Sequence, residues 1–518
     1  MLQSKLIRGM TKYKRLFTKL SKRSSVRRCS LNNCALIVKR IIGAVFCLFA
    51  AGVATSAQTL TAHIRVVSLA PPRISVEGTS DRPATAWSFR TTYAGLLGLG
   101  ARFEQLTLTD AQGANVPLRQ LAPGEYEAGR PAQSFHYEVK LEPPGLDAAA
   151  AHVSWLTPER GILMPGDLLP LPVARAKLQL TLPTGWQSIA LDEPAADGRY
   201  DIAQAESSVL FVGRELRQQQ ARAGATAFTL ASAGDWAFAD EDAARLVQDI
   251  LREHERATGT APRERALVIV APFPRQVSPQ EWSAETRGGT VVMLVGREPA
   301  KTAALAQLSQ PLAHELFHLW VPNGLALAGD YDWFFEGFTL YQAVRAGVRL
   351  GFLSFQNYLD NMALAFDQSR SASEGAGLSL LEASQRRWSD ANAVVYRKGM
   401  LVAYLYDLTL RQKTSGKRSL DDVYRALFSR RRTETNEDGN AVVCELLTRV
   451  TGDTTFVERY IKHDGVIDLT AAINPFGLEV APGGARTHIV VAAELSRTQR
   501  DLLKQIGYND TAGHGHKR

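Results

Sequence analysis

The sequence predicts a multidomain α+β protein, and three observations carry that reading. Short alternating runs such as "HIRVVSL", "FHYEVKLE", "AKLQLTL" and "SVLFVG" sit between Pro, Gly and Asp clusters and read as an N-terminal antiparallel β domain over residues 59–225. Near residue 239 the texture changes: helical periodicity alternates with continuous apolar runs, which defines an α/β unit over residues 226–350. After Glu336 the pattern is helical almost to residue 464, giving a C-terminal helical domain over 351–475 and a short tail over 476–518. With 518 residues and 45% hydrophobic content, the chain can build several buried cores, and fibrous and disordered classes are excluded.

Residues 1–58 form a basic leader. They hold 12 of the chain's 60 Lys and Arg and no Asp or Glu, so the remaining 48 cations face 52 acidic residues, a net charge of about −4. The run "IIGAVFCLFAAGVATSA" has signal-peptide length, with Thr55 and Ala57 suited to cleavage before Gln58. It is shorter than the roughly 20 residues a spanning helix needs. Export is therefore expected, to the periplasm or medium, with translation starting at Met1 or at Met10, and membrane contact is expected only if the leader is kept. "KRSSVRR" has no aromatic or motif partner, so no nucleic-acid partner is expected. Cys29, Cys34 and Cys47 lie in the leader and Phe46 is too large for lipoprotein processing, leaving Cys444 and no internal disulfide in the mature chain.

The β domain shows no catalytic spacing, and His63, His136 and His152 are too scattered to define a site. In the α/β unit "DEDAARLVQDILREHERATG" predicts a helix capped at Asp240. "ALVIVAPF" and "GGTVVMLVG" predict buried strands, and a long helix is expected over residues 299–321. In the helical domain one Gly/Ser-rich break is expected at "SRSASEGAG". His514 and His516, in "AGHGHKR", belong to a solvated tail. No internal repeat is visible.

The chemistry concentrates in "HELFHLW". At helical pitch His314 and His318 lie on one face and can aim ring nitrogens at one zinc ion, with Glu315 beside the open position as a base for a water. Two histidines alone leave a metal pair and an ordinary helix equally open, and a catalytic zinc needs a third protein ligand. Glu336 is the candidate, with 17 residues between it and His318. A carboxylate among Trp333, Phe334, Phe335 and Phe338 is costly to bury unless it is paired or metal-bound.

"HELFHLW" together with "WFFEGFTLY" resembles the glycyl-aminopeptidase family of gluzincin zinc metallopeptidases and, more distantly, the membrane alanyl aminopeptidases. The stretch beginning "VVYRKGMLVAYLYDL" is similar to that family's downstream helix with its Tyr-x-Lys-Gly element. The resemblance implies a thermolysin-like zinc domain, a Zn2+ cofactor, peptide substrates, and Tyr396 as hydrogen-bond donor to the oxyanion. A weaker block, "SAETRGGTVVML", aligns with the strand that binds the substrate amine in related aminopeptidases. Glu285 takes the glutamate position and Gly288 follows, but Ser283 and Thr286 depart from the pattern. The 43 residues after Pro475 are too few for the PDZ domain that many relatives carry. The expected function is an exported zinc aminopeptidase. An inactive peptidase-like binding protein and a zinc endopeptidase or other amide hydrolase are the open alternatives.

Overall fold

The computed structural model describes residues 58–430, 437–481, 484 and 486–509. The leader with its three cysteines and the tail histidines His514 and His516 lie outside the described residues. Alternation in the long strands Gln58–Leu69, Pro72–Ser88 and Glu125–Lys140 turns Leu60, Ile64, Ile74, Val76 and Tyr137 into a core and every second residue outward. These strands lie within a seven-stranded sheet that also takes in Val173–Thr181 and Tyr200–Ile202. The sheet is antiparallel as expected except that Gln58–Leu69 pairs in parallel with Val173–Thr181. A parallel return needs a long connection, which residues 70–172 supply by folding into hairpins on the way.

The next sheet begins at Arg217, inside the stretch read from sequence as β domain. It contains β1 (Arg217–Ala223) and β2 (Thr226–Ser232), followed by helix α1 (Asp240–Thr258), then β3 (Arg265–Pro272), β4 (Trp282–Arg287) and β5 (Thr290–Val295), in the order β1-β2-β3-β5-β4. Both faces of β3 are covered: Leu267, Ile269 and Ala271 pack with Trp155 and Phe211 of a small four-stranded sheet, and Val268 and Val270 pack with the helices. This two-sided burial is why "ALVIVAPF" reads as an unbroken apolar run. Among the described residues strand β4 pairs on one side only, with β5, and so forms the edge.

The cap of helix α1 lies one residue before the expected one. Ala239 is the N-cap, its N–H bonded by Asp242, while Asp240 in the first turn accepts from Arg217 at 2.7 Å and Ser232 at 2.8 Å. Helix α2 (Lys301–Phe317) carries "HELF". A π-helical turn, Trp333–Phe338, leads into α3 (Thr339–Arg349), and α4 (Phe355–Ala376) and α5 (Leu380–Gln385) follow. The break expected at "SRSASEGAG" falls at its last residue only: α4 runs to Ala376, because Ser, Ala and Glu are all tolerated in a helix, and the chain turns at Gly377, at φ +55°. A second π-helical turn, Val394–Lys398, leads into α6 (Gly399–Lys413), and further short helices complete the layer. Among the described residues no helix is long and apolar enough to cross a membrane.

Candidate active site

Helix α2 brings His314 to its last turn, and His318, the C-cap, keeps helical angles at φ −64° and ψ −16°. The i, i+4 stacking therefore survives at the helix end. The chain then turns sharply, and the Val321 carbonyl lies 2.8 Å from His318 Nδ1. With Nδ1 donating there, Nε2 is the free nitrogen, 3.0 Å from His314 Nε2. Glu336, on the first π-helical turn, sets Oε2 at 3.3 Å from His314 Nε2 and 3.4 Å from His318 Nε2.

Those three separations fit zinc. Ligands at 2.0–2.1 Å in a tetrahedron stand about 3.3 Å apart. Glu336 Oε2 is buried with no hydrogen bond among the described residues, as an oxygen reserved for a cation would be. Glu315 also comes within 4.8 Å of both histidine nitrogens, but Glu336 is the closer carboxylate and Glu315 is engaged elsewhere. Burial pushes the Glu336 carboxyl up, but the His318 and Arg387 charges outweigh it and hold the group well below the usual carboxylate range. Burial likewise lowers His318, and Glu336 reverses this and lifts it to about 9.

Glu315 is buried beside the two histidines. Its Oε2 accepts from Thr286 Oγ1 at 2.7 Å, and the same hydroxyl lies 2.8 Å from the Glu315 carbonyl. Thr286, a departure from the family pattern in sequence, thus links edge strand β4 to Glu315. Tyr396 lies on the second π-helical turn. Burial first, and then the Glu336 charge, push its phenol above the usual tyrosine range, so it stays protonated.

The two π-helical turns cross at a pair of glycines. A Cβ on Gly337 would lie 2.5 Å from the Cα of Gly399, and one on Gly399 would lie 2.8 Å from the Trp333 carbonyl oxygen. The Gly of "FFEGF" and the Gly of "YRKG" therefore meet backbone to backbone, which sets Glu336 against Tyr396. Lys398 of the same element is buried and holds Asp464 and the Leu378 carbonyl, the latter at 3.2 Å.

Glu285 lies in the same cavity as the histidines. Its Oε1 accepts from Tyr93 at 2.7 Å and its Oε2 contacts His152 Nδ1. Burial raises its carboxyl, but His152 and Arg287 outweigh that and lower it. His152, passed over as scattered in sequence, thus belongs to the site, and its ring is raised by Glu285 in spite of burial. Gly288 takes φ +54° in the turn after β4, and a Cβ there would come 2.9 Å from Ser207 Oγ, so this glycine serves the turn on the cavity rim. Arg387 was not found from sequence either; it reaches Asp332, Glu336 and Tyr396. Trp320 and Trp333 are fully buried in the helical core, where they pack the helices, as does Phe338.

Two cavities meet at this cluster. One, of about 370 Å³, is lined by Tyr93, Glu285, Arg387 and Tyr396, and the other, of about 1480 Å³, by Trp282, Ser283, Gln310 and Asn392. His314, Glu315 and Tyr396 line both. Strand β4 runs along the two, contributing residues 284–287 to the smaller and 282–284 to the larger.

No family model matches the sequence, and no curated protein does. Solved structures do match in shape. An aminopeptidase N family protein from Idiomarina loihiensis superposes with TM-score 0.70 at 16% identity, over 82% of this chain and 79% of that one. The M1 zinc metallopeptidase from Deinococcus radiodurans superposes with TM-score 0.51 at 16% identity, over 78% and 93%. A mutant of that enzyme bound to a Tyr-Ser-Ala substrate gives 0.51 at 16% identity, over 80% and 95%. At this identity the likeness is one of fold. The chain has the M1 gluzincin aminopeptidase-like fold, in agreement with the fold that the resemblance of "HELFHLW" and "WFFEGFTLY" implies.

Proposed function

We propose that the chain is a zinc-dependent metallopeptidase that hydrolyses peptide bonds at the amino-terminal end of its substrate. The convergence of His314 Nε2, His318 Nε2 and Glu336 Oε2 to within 3.0–3.4 Å carries this reading. His314, His318 and Glu336 would hold a zinc ion, which when bound would supply Lewis acidity to a water and to the scissile carbonyl. Glu315, fixed by Thr286, takes the water's proton and passes it to the leaving amine. Tyr396, kept protonated by its surroundings, donates a hydrogen bond to the developing oxyanion. The free edge of β4 offers backbone groups to an extended peptide lying across both cavities. Glu285 accepts the substrate's ammonium in the smaller cavity, which exchanges its His152 contact for one to the substrate. The Tyr-Ser-Ala substrate bound by the Deinococcus enzyme's mutant fits a peptide role.

A second reading, a zinc endopeptidase, draws on the fact that His152 and Tyr93 already occupy both oxygens of Glu285. Matched peptides with free and acetylated amino termini separate the two: an aminopeptidase cleaves only the free ones. The test of the mechanism is Glu315→Gln, which is expected to abolish turnover, by at least about 100-fold, while zinc stays bound. Full activity in that variant would refute the mechanism. We also propose export with removal of residues 1–57, which amino-terminal sequencing of the mature chain checks.

A further inference from the structure

Arg387 sits just past α5, on a side chain only 12% exposed, and its guanidinium meets three acceptors. One terminal nitrogen donates to Asp332 Oδ1 at 2.8 Å. The other lies 2.6 Å from Glu336 Oε1 and 2.6 Å from Tyr396 Oη, and its two hydrogens can serve one each. The face of the group stacks on Trp388 at 4.3 Å. Both consequences fall on the site. With Oε1 of Glu336 taken by the guanidinium, Oε2 is the oxygen left to face the histidines, so the carboxylate is presented through one oxygen only. With a lone pair of the Tyr396 phenol taken as well, the phenol oxygen is fixed where it lines the cavity, and its own hydrogen is left for Glu336 or for an oxyanion there. Asp332 anchors the opposite arm of the fork and fixes its plane.

We infer that Arg387 is a positioning residue that selects the metal-binding oxygen of Glu336 and aims the hydroxyl of Tyr396, linking metal affinity to oxyanion stabilisation through one guanidinium. This rests on the zinc-peptidase reading above. A lysine could supply the charge but not the planar fork, so a role as mere buried counter-charge and a role in positioning give different results.

The experiment uses the full chain carrying Arg387→Gln, Arg387→Lys or Asp332→Asn, each also combined with Tyr396→Phe. Zinc affinity is measured by competition with a chelator, and kcat and KM are measured on zinc-saturated protein with a short peptide. Arg387→Gln is expected to weaken zinc binding by about 10–100-fold and to lower kcat with little change in KM. Arg387→Lys should restore neither, and the kcat loss should shrink in the Tyr396→Phe background, because both changes remove the same interaction. Asp332→Asn, which leaves the arginine in place, should shift both quantities the same way by less, and it decides the matter if the arginine variants do not fold. Unchanged zinc affinity and kcat, rescue of both by lysine, or losses that add fully with Tyr396→Phe would overturn the inference. A parent chain that binds no zinc would instead overturn the zinc-peptidase reading on which it stands.

Discussion

Thr286 Oγ1 gives its hydrogen to Glu315, and nothing in the spacing of "HELFHLW" points to it, because the two residues are 29 positions apart. Replacing it with valine keeps the shape but removes the bond that orients the base, so Thr286→Val should lower kcat about tenfold with zinc retained. Tyr396→Phe should lower kcat by about 100–1000-fold while KM and zinc content hold; steady-state kinetics with metal analysis checks both. His254 is a third case, fully buried with Nε2 2.8 Å from the carbonyl of Ala313, next to His314. Burial pulls its ring down to about 4 against the smaller opposing pull of that bond. An unfolded histidine takes its proton near 6.5, so this group's contribution is fully present above that pH and is lost as pH falls toward 4, by roughly 3 kcal/mol. Melting curves in chelator at pH 7 and pH 4.5 should show less acid destabilisation in His254→Gln than in the parent. The residues legible in sequence were those whose partners lie nearby in the chain or inside a quoted motif. Glu285 and His152 touch across 133 positions and Arg387 reaches Glu336 across 51, and such contacts leave no periodic trace.

At the level of elements, helix α2 was legible because its two histidines share a face that survives to the cap. Its supports were not. The Tyr-x-Lys-Gly element gave the position of Tyr396, but the reason for its glycine appears only where Gly399 crosses Gly337. Gly399→Ala would force the two turns apart at a backbone contact that has no side chain to yield. It should cost roughly 1–3 kcal/mol and depress kcat by separating Tyr396 from Glu336. Thermal melts together with kinetics test this, and a variant with parental stability and turnover would mean that the crossing does not set the site. The helix expected to break at "SRSASEGAG" shows the opposite lesson: Ser and Gly mark a turn only where the backbone needs positive φ, which here is Gly377 alone.

Across the whole molecule, alternation identified the first sheet and continuous apolar runs identified β3 and β5, since burial on one face or two leaves those patterns. The parallel pairing of the first strand with Val173–Thr181 left no such mark, because register between distant strands is set by packing after the intervening hairpins form. The same long-range closure brings Tyr93 and His152 from the β region onto Glu285, so the smaller cavity is built jointly by the first half of the chain and helix α2. Whether His314, His318 and Glu336 hold zinc is read from the zinc-to-protein ratio of the purified chain beside that of His318→Gln. One zinc per parent chain and almost none in the variant after the same dialysis is the expected result. A zinc-free parent prepared with zinc present, or a variant that keeps its full complement, would contradict it.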